Sequence, residues 1–197
     1  PFAEPDAHQR KGLLLFSLGH MIAASGSDPL PSWRKAISAL QKHDGDPSTE
    51  GQVLLEVGLR SAELALPPTG PAYEVEFVEE AVLALEQAAT CFCRARGRLK
   101  EGEDDKAKRA EAARKELQAQ AALAGLWCAL RETTEASRIL QASAYLLDSV
   151  PEELHLSNAA AFSTLTIGQG LLSMEGSVWT PADRQYSNRW VWTGEVP

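Results

Sequence analysis

A chain of 197 residues, 44% of them hydrophobic, is long enough to bury one ordinary core, which excludes global disorder. Its formal net charge of −8 disfavours nonspecific binding to nucleic acid or to anionic membranes. Its three cysteines do not suggest a disulfide framework, and no apolar run reaches the ~18 residues of a membrane span. We therefore expect a soluble, intracellular protein. Because the chain begins at Pro1 rather than Met, we also expect a processed form or fragment of a longer protein.

The first predicted helix is capped by Asp6 and ends at Gly26. Its apolar run from Gly12 to Ala24 is interrupted by polar residues and is followed by no obvious cleavage signal. We therefore interpret this run as a core helix and not as a signal peptide. Its large apolar residues are Leu13, Leu14, Phe16, Leu18, Met21 and Ile22.

Two further helices are predicted before a proline-rich break at residues 67–71. Ser32 is the predicted N-cap of a short second helix. Thr49 and Gln52 have the spacing of a capping box, which predicts a third helix that runs to about Leu66.

The strongest periodic pattern predicts a long central helical hairpin. Apolar residues alternate three and four apart through Val78, Ala81, Leu85, Ala88, Phe92, Ala95 and Leu99. This heptad seam predicts a fourth helix over residues 72–100. A fifth helix is predicted over 104–131, and we expect Leu85, Phe92, Leu117 and Trp127 to be buried together. The alternative is one continuous rod of about 60 residues, which Gly97 and Gly102 weaken.

The remaining pattern predicts one or two more helices and an irregular tail. Thr134 opens the sixth helix, and Ser149 with Glu152 marks the start of another. The predicted fold is all-α: an antiparallel bundle of six or seven helices with an irregular or short β C-terminal tail. We divide the chain into a helical bundle domain, residues 1–167, and an aromatic-rich tail, residues 168–197.

The tail is the predicted partner-binding segment. Large aromatic residues there carry too much apolar surface to remain in water without a reason, and tryptophan, tyrosine and arginine are typical of interface hot spots. If residues 190–192 form a strand, Trp190 and Trp192 share one face and Val191 lies on the other. Packing of the tail against the bundle itself is the alternative. The predicted partner-binding residues are Trp179, Arg184, Tyr186, Arg189, Trp190 and Trp192.

No catalytic, cofactor or metal motif is recognised in the sequence. Cys91 and Cys93 are two apart, which on a helix turns them away from each other, so a shared metal is not expected. An enzyme site would have to be assembled from residues distant in sequence, with His20, His155 and the fourth-helix carboxylates as candidates. Glu79 and Glu80 are adjacent among these carboxylates, and we interpret them as part of a solvated helix face.

A basic stretch overlaps the predicted hairpin turn. Nine basic and six acidic residues fall between residues 94 and 116, which gives a local net charge of +3. A solvated helix tip with intrahelical ion pairs is the simpler interpretation. Nucleic-acid binding through residues 94–115 is an alternative, although the stretch lacks the aromatic residues that stack on bases.

One segment resembles a tetratricopeptide-type repeat. Leu123, Ala124, Trp127, Ala136 and Leu140 fall close to the spacing of large and small residues in that repeat. The similarity covers about one repeat; Ser143 stands where alanine is usual, and the predicted fourth and fifth helices are about twice the repeat's length. The resemblance implies stacked antiparallel helix pairs.

We therefore expect a non-enzymatic helical interaction module or a structural subunit of a larger assembly. Its partner would be a protein or a second copy of the chain, with no cofactor and no metal. The alternatives are an enzyme with a site between helices and a nucleic-acid-binding protein.

Overall fold

The computed structural model describes residues 4–42, 45–66, 74–99, 103–148, 179–181 and 190–192. These residues contain six helices packed against one another, which confirms the predominantly helical prediction. The helices are α1 (Glu4–Ala24), α2 (Leu30–Leu40), α3 (Pro47–Ala65), α4 (Val75–Arg98), α5 (Glu103–Ala129) and α6 (Thr133–Asp148). Strands β1 (Trp179–Pro181) and β2 (Trp190–Trp192) form an antiparallel pair. Within the described residues, no helix is both long and apolar enough to cross a membrane.

Each helix packs most closely against its neighbour in the chain, with α3 and α4 in the most extensive contact. Helices α3 and α4 are antiparallel, because Gly51 lies against Phe92 while Gly58, later in α3, lies against Leu85, earlier in α4. The small α3 residues let the large α4 side chains approach its backbone.

Two of the predicted helix starts are wrong. Asp6 lies inside α1, which begins at Glu4. Ser32 also lies inside its helix, because α2 begins at Leu30 with Pro31 in the first turn, where proline's fixed φ suits a helix start. The Ser32 hydroxyl instead donates a hydrogen bond of 2.9 Å to the backbone oxygen of Leu15 on α1.

The capping-box prediction for α3 is also wrong. Asp46 is the N-cap, and its carboxylate accepts hydrogen bonds of 3.1 Å from the backbone amides of Ser48 and Thr49. Pro47 is the first helical residue, and the Thr49 hydroxyl donates to the same carboxylate at 2.8 Å. The Asp46 carboxylate is a charged acceptor for two helix amides, so it serves as the cap in place of the Thr49 hydroxyl. The Gly26 prediction is confirmed, because α1 ends at Ala24 and Gly26 has φ +81°.

The seam of α4 forms the centre of the core. Ala81, Leu85, Ala88, Phe92 and Ala95 are all buried, as their heptad spacing predicts. In α5 all six residues from 121 to 126 are buried, because this helix packs against both α4 and α6.

The expected cluster of Leu85, Phe92, Leu117 and Trp127 is only partly correct. Leu85 and Phe92 share one buried cluster, and Trp127 packs against it while only half-buried. Leu117 is fully buried but belongs to a separate cluster with Ala113 and Leu146. Leu117 therefore packs toward α6.

The continuous rod is wrong. The C-cap of α4, Leu99, has an extended backbone with φ −82° and ψ 134°, and α5 returns along α4. Arg96 near the end of α4 approaches Glu116 of α5 with Nη2 3.3 Å from Oε2.

Several predictions fall outside the described residues. These are the helix start at Ser149 and Glu152, most of the tail, and the boundary between residues 167 and 168. They stay predictions.

Candidate functional site: the outer face of the first helix

The first helix is attached to α2 through small residues on its inner face. Gly12 lies against Leu40, and Gly19 lies so close to the indole of Trp33 that a Cβ atom there would overlap it. Trp33 is buried, and its Nε1 donates a hydrogen bond of 3.3 Å to the backbone oxygen of Phe16. These contacts fix the rotation of α1 about its own axis and so determine which residues face outward.

The aromatic contacts continue one turn further along α1. The ring of His20 lies edge-on to Phe16, with 4.5 Å between ring centroids, and 5.4 Å from the ring of Trp33. His20 therefore packs against the aromatic residues that join α1 to α2.

Three large apolar side chains follow the outer face of α1. Leu14 and Met21 are each 71% exposed, and Leu18 is 46% exposed. We call these three residues the α1 stripe. The stripe and the adjacent Leu13 present on the order of 400 Å² of apolar surface, within the size range of patches that are often functional on monomers. The prediction of a core helix is therefore wrong for these residues.

The segment of the chain that carries the α1 stripe contains no charged residue. No Asp, Glu, Lys or Arg occurs from Gly12 to Ser27. Opposite charges stand at the two ends of this interval, Lys11 before it and Asp28 after it. The carboxylate of Asp28 lies 3.8 Å from Nε of Arg60, and Asp28 retains 49% side-chain exposure. The surface therefore suits a partner that is apolar at its centre.

A concave surface lies where the start of α3 meets the end of α4 and the first half of α5. This groove of about 480 Å³ has apolar contributions from Pro47, Ala95, Leu99, Ala107 and Ala112. Its polar lining comprises Asp46, Ser48, Arg98, Lys108 and Glu111.

Polar groups of the groove are already engaged within the chain. Asp46 caps α3, and Arg98 donates to the backbone oxygen of Gly45 at 3.2 Å. Lys108 lies 3.7 Å from Asp105. With both signs of charge present and satisfied internally, the groove shows no preference for a charged ligand.

The basic stretch 94–115 also pairs internally. Arg94 lies 3.9 Å from Glu50, and Arg96 lies 3.3 Å from Glu116. Glu111 accepts from Arg114 and lies 3.6 Å from Lys115. This neutralisation reduces the positive field available to a nucleic acid.

The candidate catalytic residues that the structure describes contact different partners in the fold. His20 packs on aromatic rings, as described above. Glu80 forms a bidentate pair with Arg34, whose Nε and Nη2 lie 2.6 and 2.7 Å from its two oxygens. Glu79 is exposed next to it, and His155 lies outside the described residues. Within the described part of the chain, these candidates do not form a shared constellation.

The cysteines do not approach a common point. Cys91 is buried and accepts a hydrogen bond from Arg94 at 3.1 Å, whereas Cys93 is exposed. Burial raises the pKa of the Cys91 thiol, so this sulfur resists ionisation. Among the residues that the structure describes, no group of three or more His, Cys, Asp or Glu could hold a metal ion.

The predicted partner-binding residues of the tail are described only in part. Trp179 is opposite Trp192 in the strand pair, and Pro181 is opposite Trp190. Arg184, Tyr186 and Arg189, between the strands, lie outside the described residues. The proposed roles of all six tail residues stay predictions.

The α1 stripe was missed because α1 is apolar on more than one side, so composition alone does not identify its covered face. One signal was available in the sequence. Gly12 and Gly19 are seven residues apart, which places them on the same face of a helix. Two glycines on one face indicate close approach of another helix, and the opposite face then carries Leu14 and Met21.

Comparison of the chain with protein-family models, curated proteins and solved structures found no match. The one-segment similarity to tetratricopeptide-type repeats gains no support from these comparisons. Function has to be inferred from the residues and their contacts.

Proposed function

We propose that the chain is a non-enzymatic helical interaction module, or a structural subunit of a larger assembly, that binds a protein partner through the α1 stripe. The exposure of Leu14, Leu18 and Met21 on one helix face carries this proposal. Burial of such surface removes it from water at a gain of roughly 25 cal/mol per Å², before the costs of association.

The α1 stripe is a better candidate than the other described surfaces. Its backbone is held in place by α2, so little ordering is needed on binding. The α4–α5 groove and the basic stretch have their charged groups paired within the chain, which gives less support to a nucleic-acid partner. An enzyme with a site between helices remains the alternative, with His20 and Glu80 as its described candidates.

The proposal also includes the finer architecture. The helices would form an antiparallel bundle with α4 and α5 as its central hairpin and with a further helix after Ser149. The tail from residue 168 would be a short β or irregular segment that contributes Trp179, Trp190, Trp192 and neighbouring arginines to a second contact. We further propose an intracellular location.

The test uses a charged substitution within the α1 stripe and a matched one outside it. Met21→Glu places a carboxylate on the stripe, whereas Leu83→Glu does the same at a 58% exposed leucine of α4. Both sites are exposed, so both variants should keep the circular dichroism and thermal midpoint of the wild type.

In affinity capture, the immobilised wild type and the Leu83→Glu variant should retain the same partner protein, and Met21→Glu should lose it. A tagged copy of the chain is added to the sample so that self-association is detected as well. Equal capture by all three proteins would refute the α1 stripe as the binding surface.

A further inference from the structure

We draw no further inference here: the strongest candidate, the apolar outer face of α1 that carries Leu14, Leu18 and Met21, belongs to the surface already described, and nothing in the structure shows what covers it.

Discussion

The hydroxyl of Ser61 donates a hydrogen bond of 2.7 Å to Oε2 of Glu80, and Ser61 is completely buried. The same carboxylate receives the guanidinium of Arg34. One acidic side chain thus joins α2, α3 and α4 at a single point. Burial on its own would raise the pKa of Glu80, but the hydrogen bonds from Arg34 and Ser61 outweigh it and lower that pKa below its ordinary value.

We expect Glu80→Ala to lower the free energy of unfolding by about 1–3 kcal/mol near neutral pH, because it leaves the buried Ser61 hydroxyl without this acceptor. Glu79→Ala, at the exposed neighbouring position, should change it by less than ~0.5 kcal/mol. Urea denaturation at several pH values measures both.

The pH dependence of the Glu80 effect has a definite sign. Because the native pKa is lowered, this stabilisation is fully present above the unfolded-state pKa and is lost as pH falls through the native pKa. The difference between wild type and Glu80→Ala should therefore shrink in acid. A difference that grows in acid would contradict the role assigned to this carboxylate.

A pair of glycines on neighbouring helices predicts opposite effects of alanine. At Gly58 a Cβ atom would lie 2.6 Å from Cγ of Leu85, whereas at Gly97 nothing lies within 4 Å. Gly58→Ala should destabilise by about 1–3 kcal/mol through overpacking. Gly97→Ala should stabilise by up to ~1 kcal/mol, because alanine favours the helix. Denaturation midpoints decide the matter, and equal shifts in the two variants would show that α3 and α4 are not in close contact.

Two glutamates of α5 predict opposite pH behaviour. Burial raises the pKa of Glu116, which is 6% exposed, although Arg96 opposes the rise. A raised native pKa means that the ionised form costs stability at neutral pH and that this cost disappears as pH falls from the native pKa to the unfolded-state pKa. Glu116→Gln should therefore be as stable as wild type or slightly more stable at neutral pH, and its advantage should vanish in acid.

Glu111 is the matched control for Glu116. The hydrogen bond from Arg114 lowers its pKa, so Glu111→Gln should lose stability at neutral pH and approach the wild type in acid. Because Glu111 is 49% exposed, the loss should stay under about 1 kcal/mol. Thermal midpoints across a pH series compare the two variants, and identical profiles would contradict the burial of Glu116.

The tail prediction can be tested by deletion of Ser177 to Pro197. If the tail docks on another protein, the shortened chain should keep its thermal midpoint and lose that partner. If it covers its own helices, the midpoint should fall, because each packed large aromatic residue buries roughly 150–250 Å². An unchanged midpoint with unchanged partners and solubility would refute both interpretations.

The sequence predicts the α4 seam well because that pattern is local. Leu85 and Phe92 are both buried, and both follow from the three-and-four alternation alone. Helix starts were less predictable where two caps compete, as at Asp46 and Thr49, because both side chains can bind the first amides of a helix. Periodicity shows that a helix has an apolar face but not what covers it, so the exposure of Met21 required the structure.

Contacts between residues far apart in sequence were also beyond sequence reasoning. Arg34 and Glu80 are 46 residues apart, and nothing in either local sequence indicates the other. The separation of Leu117 from the Phe92 cluster depends on where α6 packs, which α5 alone does not specify.

The attachment of α1 mainly to α2 has a consequence for local opening. A helix that has most of its contacts on one neighbour can detach while α3 and α4 stay packed together, so its backbone amides should exchange with deuterium sooner than those of α3 and α4. A protein partner seated on the α1 stripe would slow that exchange, while the exchange of α4 amides would stay constant.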